Sequence, residues 1–253
     1  MSENFVLLTL KNGVRTITLN RPNVKNAINQ DMYEKIKKTM NNDAVNDEVV
    51  ITILTGTGNY YSSGNDIKSS METVSDPENQ FRLVEEMIQA FINFPKLLIA
   101  VVNGPAIGIA ATTVALCDII YASENAVFDT PFLKMGLCAE GGSSYTFPFT
   151  FGRSIASEVI ILNRKLSASE AYQFGLISKV VPLSELQAFM ENLHEYGKLP
   201  LQNVKRNKAL IMANFKKVLI ECNQRETKAL KECIESDEFI TAAMSFLNKK
   251  SKL

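Results

Sequence analysis

The chain has 253 residues, 46% hydrophobic and 21% charged, with zero formal net charge. That composition suits one large globular domain, or one domain with an appendage, and its balanced charge offers no global field for nucleic acid or an anionic membrane. One histidine and four cysteines without a CxxC pair speak against a zinc site, and no apolar run reaches the ~18 residues of a membrane span.

Taken in order, Phe5–Lys11 and Val14–Leu19 flank Asn12-Gly13, a strong hairpin signal. Asn20–Asn26 is a polar loop with a proline. Met32, Ile36 and Met40 recur at four-residue steps, which predicts an amphipathic helix over 30–42. Val49–Thr55 is a β-branched run suited to a strand buried on both faces. A polar loop over 59–79 follows. Phe81, Val84, Met87, Ile88 and Phe91 mark a second helix that ends near Pro95. Leu97–Val102 is a second buried strand, Ala106–Cys117 a small-residue helix, and Ile119–Ala122 a third strand, with a short one at Val127-Phe128. From about residue 153 the chain turns helical. Ser167–Glu170 forms a capping box, with Gly175 past that helix. Leu186, Phe189, Met190 and Leu193 line another helix, and 204–247 reads as two or three more, ending near Asn248. Recurring strand, loop and helix predict an α/β fold with a parallel sheet and crossover helices.

Familiar catalytic motifs are missing. Gly56-Thr-Gly58 lacks the third glycine and the following helix of a dinucleotide turn, and Gly104–Gly108 lacks the Gly-Lys-Ser/Thr of a P-loop. His194 lies in a predicted helix between Glu191 and Glu195, and no Gly-x-Ser-x-Gly elbow exists for a serine hydrolase. Two loops stand out instead, Tyr60–Lys68 and Asn103–Ala111. Each follows a buried strand and combines small residues with backbone N–H groups exposed at a helix entry. If the two converge, they make an oxyanion hole.

One carboxylate also stands out. Glu140 sits between an apolar run (Phe132, Leu133, Met135, Leu137, Cys138, Ala139) and Gly141-Gly142. It is either a solvated residue in a surface turn or a base whose pKa is raised by apolar neighbours.

Asn20-Arg-Pro22 with Asn26-Ala27, Tyr61–Asp66, Asn103–Gly108, Cys117–Ala122 and Glu140-Gly-Gly142 are matched together in one known pattern. On them the chain resembles the enoyl-CoA hydratase/isomerase (crotonase) family from about residue 5 to 245, with the peroxisomal Δ3,Δ2-enoyl-CoA isomerases as the nearest pattern. The resemblance implies a spiral of ββα units over 1–196 and a helical C-terminal trimerisation region over 197–253, in a homotrimer or a dimer of trimers. It implies an acyl-CoA thioester whose carbonyl lies between the backbone N–H groups of Asn65 and Ile109. Ser63, Gly64, Asp66, Ile67, Gly108 and Phe132 are the expected substrate-binding neighbours. Lys25, Lys68 and Lys208, the last in a basic cluster with Lys205 and Arg206, are expected near the coenzyme A phosphates. Each of these lysines could equally be a solvated surface residue.

Family hydratases carry two glutamates at the positions held here by Thr112 and Phe132. The resemblance therefore disfavours hydration and implies that Glu140 acts alone as the isomerase base. It implies no metal and no redox cofactor, coenzyme A being part of the substrate. Tyr60, Tyr61, Phe94, Phe132, Phe147 and Phe149 are divided between acyl pocket and core. A competing expectation, from a different class, is a non-catalytic crotonase-fold module that binds coenzyme A or a protein.

The N-terminus Met1-Ser-Glu-Asn-Phe5 lacks the basic and long apolar regions of a signal peptide and the Arg-rich character of a mitochondrial presequence. Ser251-Lys252-Leu253 matches the tripeptide read by the peroxisomal import receptor. The expected location is the peroxisomal matrix, and a mitochondrial one fits less well.

Overall fold

The computed structural model describes residues 4–67 and 77–250. Asn12 and Gly13 both take positive φ, 51° and 79°, the turn geometry that matches strand twist. They join β1 (Val6–Lys11) to β2 (Val14–Leu19) in antiparallel register, with Lys11 opposite Val14. β3 (Ile51–Gly56) and β4 (Leu97–Val102) extend the sheet in parallel. β5 (Ala106–Ile107) leaves it, β6 (Ile119–Ser123) continues it, β7 (Val127–Asp129) and β8 (Leu166–Ser167) join β5, and β9 (Lys179–Val181) completes the main sheet. The main order is β1-β2-β3-β4-β6-β9, and the smaller sheet runs β5-β7-β8.

Helices make the crossovers: α1 (Gln30–Val45), α2 (Pro77–Asn93), α3 (Ile109–Val114), α4 (Ser143–Ile160) and α5 (Ala168–Gln173). They are followed by α6 (Leu186–Leu193), α7 (Leu201–Met212), α8 (Lys216–Ile234) and α9 (Asp237–Lys250). The period of two along β4 sorts its side chains into two cores. Leu98, Ala100 and Val102 enter the larger core with α1, α2 and α3. Ile99 and Val101 face the smaller one with Val14, Ile51, Ile53, Leu186 and Leu193.

The predicted hairpin, the first helix and the buried strands match these elements, and the family spiral agrees with them. Three differences have local causes. The predicted helix from Ala106 splits, because Ala106 and Ile107 pair with Phe128 and Asp129, and Gly108 turns the chain at φ 57°. Helix begins at Ser143 rather than near 153. Its interior Pro148 forgoes only one backbone bond, and Gly152 at φ 75° breaks it into two stretches. β9 is a short strand recruited by pairing with Tyr121–Ser123, not by an alternating pattern of its own. The expected boundary after residue 196 falls within the 3-10 helix His194–Lys198. Beyond it, Leu201 and Val204 of α7 still pack against the smaller core.

Candidate active site

The two donor loops leave the C-terminal ends of the adjacent parallel strands β3 and β4, the usual ligand end of such sheets. Buried asparagines shape both. Asn26 donates its amide to the carbonyls of Thr57 (2.9 Å) and Tyr60 (2.8 Å) and accepts from the Arg21 N–H. Asn103 does the same from the other side, donating to Gly58 O at 2.8 Å and accepting from Gly56 N at 3.0 Å. These contacts explain the Asn20-Arg-Pro…Asn26 and Asn103-Gly-Pro patterns as loop clamps.

The loops run side by side. Ser62 and Ala106 form a parallel bridge, and Ile107 N–H donates to Ser62 O at 3.0 Å. A Cβ on Gly64 would lie 2.5 Å from Ile107 O, and φ there is 83°, so only glycine allows this approach. On the far side, Ile28 N–H donates to Gly64 O and Asp66 N–H to Ile28 O. That bridge leaves the N–H of Asn65 pointing away from residue 28. Ile109 is the first residue of α3, so its N–H has no intrahelical acceptor. Among the described residues no backbone carbonyl accepts from either N–H.

Glu140 arrives from a third element. It is buried with Gly141 (φ 68°) and Gly142 (φ 78°) behind it, just before α4. Both glycines are required at this bend, since a Cβ on Gly141 would fall 2.2 Å from Thr112 Oγ1. Ser143 Oγ ties the Glu140 carbonyl at 2.7 Å. A Cβ built on Gly108 would have Glu140 Oε1 as its neighbour at 3.9 Å, which puts the carboxylate beside the second donor loop. The Asn65 side chain acts on the Glu140 carboxyl as a polar neighbour, which puts it beside the first.

Burial pushes the Glu140 carboxyl from 4.5 up to about 8, the charge of Glu226 adds to the rise, and the Asn65 amide partly opposes it. Tyr33 of α1 donates its hydroxyl to Asn65 Oδ1, so the Asn65 NH2 must face Glu140. The Tyr33 phenol is pushed well up by its own burial and then by Glu140. The solvated-turn reading of Glu140 is therefore set aside.

The structure brings Asn65, Gly64, Gly108, Ile109 and Glu140 together. Thr112 is fully buried under Gly141, its hydroxyl donating to Ile109 O at 3.2 Å. Phe132 is also buried, ahead of the turn Leu133–Met135. Ser63 N–H donates to Lys25 O at 2.9 Å, and Ile67 is half-buried at the end of the described loop. Asp66 pairs with Arg21 at 2.8 Å, which makes it a loop anchor.

Lys25 is exposed, its ammonium 5.0 Å from the Tyr60 ring centre. Lys208 departs from the expectation. Its ammonium is buried and bonds both oxygens of Asp118 at 2.5 Å, so it is not free for a phosphate. Asp118 also accepts from Leu98 N–H, which makes this ion pair part of the sheet's support. Lys68 and Ser251–Leu253 lie outside the described residues. Of the aromatics, Tyr61, Phe94, Phe132 and Phe147 are buried, whereas Phe149 is 63% exposed.

Tyr33 and Glu226 were not singled out from sequence. Glu226 had a signal. Leu219, Cys222, Asn223, Glu226 and Leu230 form one buried stripe on α8, and a glutamate within such a stripe calls for a partner. Tyr33 had none, since it occupies the buried face of α1 like any core aromatic.

A wound α/β fold that seats one buried carboxylate against two converging N–H loops has the crotonase architecture. Its solved relatives agree: an enoyl-CoA hydratase/isomerase from Pseudoalteromonas atlantica superposes with a TM-score of 0.90 at 29% identity, covering 97% of each chain. The sequence profile described as enoyl-CoA hydratase/isomerase matches residues 9–252, and the chain belongs to that family. It is 42% identical over 253 residues to Enoyl-CoA delta isomerase 2 of Rattus norvegicus, covering 98% of this chain. The chain spans only 64% of that relative's length. It is 39% identical over 252 residues to Enoyl-CoA delta isomerase 3, peroxisomal, of Mus musculus, covering 98% of this chain and 79% of that one.

Proposed function

We propose that the chain is a Δ3,Δ2-enoyl-CoA isomerase, moving a 3-cis or 3-trans double bond of an acyl-CoA to the 2-trans position. The observation that carries this reading is Glu140, a buried carboxyl raised to about 8 beside the two N–H loops. A base for a carbon-bound proton benefits from such a pKa.

In the proposed cycle the thioester oxygen accepts hydrogen bonds from Asn65 N–H and Ile109 N–H. Glu140 removes a C2 proton, and the electron pair delocalises through the thioester and the C3–C4 double bond as a dienolate. The two N–H groups hold the oxygen as its charge grows, each worth ~2.7–4 kcal/mol of barrier. Glu140 then returns the same proton at C4, and the double bond is left between C2 and C3. Proton and electron pair both remain within enzyme and substrate, so the cycle consumes no redox cofactor. Thr112 and Phe132 hold no carboxylate to activate water, which supports isomerisation over hydration.

Lys25 and Lys68 are proposed neighbours of the coenzyme A phosphates. Ser63, Gly64, Asp66, Ile67, Gly108 and Phe132 are proposed to frame the thioester, Asp66 through its pairing with Arg21. The setting we propose is β-oxidation of unsaturated acyl chains in the peroxisome. The name of the mouse relative and the Ser251-Lys252-Leu253 tripeptide support it, with the import receptor as partner. Assembly as a homotrimer or a dimer of trimers is proposed from the family pattern. Leu210 and Ile211 of α7, 72% and 62% exposed, are consistent with a helical surface that meets another subunit.

The test is a spectrophotometric assay of 3-hexenoyl-CoA, in which the conjugated 2-enoyl thioester absorbs in the ultraviolet. Wild type should generate that absorbance and Glu140→Gln should not. Demonstrated CoA-ester binding without turnover in wild type would favour the non-catalytic module instead.

A further inference from the structure

Glu226 is a buried carboxylate on α8, far along the chain from Glu140. Its Oε2 accepts from Gly142 N–H at 2.6 Å and its Oε1 from Ser144 N–H at 2.8 Å. Those N–H groups open α4, whose N-cap is Gly142 and whose N-terminus has no side-chain cap of its own. An N-terminus normally finds its acceptor one residue away, in Ser, Thr, Asp or Asn. Here the acceptor comes from another helix, and it lands on the loop that carries the base. Ser144 Oγ and Cys222 Sγ, 3.1 Å apart, complete the contact between the elements.

We propose that Glu226 is a positioning residue for Glu140, clamping the Glu140-Gly-Gly loop from the C-terminal helix and keeping a second negative charge beside the base. The role rests on the isomerase reading above. Gly141 and Gly142 leave the loop without side chains to hold it, so the bidentate carboxylate supplies the fixed geometry that the glycines give up. The second charge opposes ionisation of Glu140, as like charges in one buried site do. It is the second cause of the raised Glu140 carboxyl, after burial. The groups around these carboxylates include the Tyr33 phenol and Asn65 amide at Glu140 and the Cys222 and Cys138 thiols at Glu226, and the Arg225 guanidinium, next along α8, acts on Cys222 from the same helix.

The discriminating variant is Glu226→Gln, which keeps the shape and removes the charge. Infrared titration of the protonated Glu140 carboxyl, its band assigned by its loss in Glu140→Gln, should show the midpoint moving to lower pH in Glu226→Gln. The acid limb of the kcat/KM profile should move the same way. The plateau kcat should fall roughly 10-fold, because a weaker and less firmly held base removes the proton more slowly. A purely structural glutamate would lower the melting temperature and leave both midpoints where they are, and that result overturns the proposal. If Glu226→Gln does not fold, Glu226→Asp decides. The charge remains but the shorter arm cannot reach both N–H groups, so turnover should drop with the Glu140 midpoint still high. Wild-type turnover in that variant overturns the clamp. If wild type itself shows no turnover, the isomerase reading fails, and the infrared midpoint alone decides the coupling of the two carboxylates.

Discussion

Glu140→Gln should separate what the proposed base does for chemistry from what it costs the fold. The glutamine keeps the shape of the side chain and stays beside the Asn65 amide. Loss of the base should reduce kcat by ~10²–10⁴-fold. Stability should move the opposite way. The carboxyl titrates near 4.5 when unhindered and at about 8 in the fold. Below 4.5 both folded and unfolded chains hold the proton, and the residue costs nothing. Between those values the folded chain keeps a proton that the unfolded chain releases, so stability falls as pH rises. Above 8 both are ionised, and the buried charge costs ~4–5 kcal/mol by the same linkage. Glutamine never ionises. Urea denaturation of the two proteins should therefore give similar stabilities near pH 5 and a clear advantage for Glu140→Gln near pH 9. Equal stability at both pH values, or turnover retained by the variant, would refute a buried base with a raised pKa.

Three further outcomes follow from the geometry. Wild-type kcat/KM should rise about tenfold from pH 7 to pH 9, as the ionised fraction of a group titrating near 8 grows from about 9% to about 91%; a pH–rate profile checks it, and a flat one argues against Glu140. Tyr33→Phe frees the Asn65 amide to rotate, and steady-state kinetics should show kcat lowered ~3–10-fold with little change in KM. Lys208→Met takes the cation from Asp118, whose side chain keeps 15% exposure, so urea unfolding should show a loss of ~1–3 kcal/mol, while KM for the acyl-CoA stays near wild type; a large KM increase would restore Lys208 to the phosphate site.

Much of the fold was legible because its signals are local. Asn12-Gly13 specifies its own turn, and Val49–Thr55 and Leu97–Val102 are apolar enough to be buried on both faces wherever they lie. The four-residue steps of Met32, Ile36 and Met40 settle a helix face without knowledge of what covers it. The candidate base was legible too, since a carboxylate among apolar residues and paired glycines is unusual in any fold. Lys208 was misread for the converse reason. A lysine in a basic run looks solvated or phosphate-binding until Asp118, 90 residues away, is found at its ammonium.

By itself, the chain's order of residues determined the hairpin and the buried strands β3, β4 and β6, most of the helices, the choice of Glu140 and the family pattern that links them, but not the short strands β5, β8 and β9. Tertiary structure decided what those residues face. Sequence holds Ser62 and Ala106 far apart, and only their pairing brings the Asn65 and Ile109 loops side by side. Tyr33, Asn65, Glu140 and Glu226 come from four separate stretches, and the proton affinity of Glu140 is set where they meet. Burial and the field of a neighbouring charge depend on distances through space, which spacing along a chain does not encode.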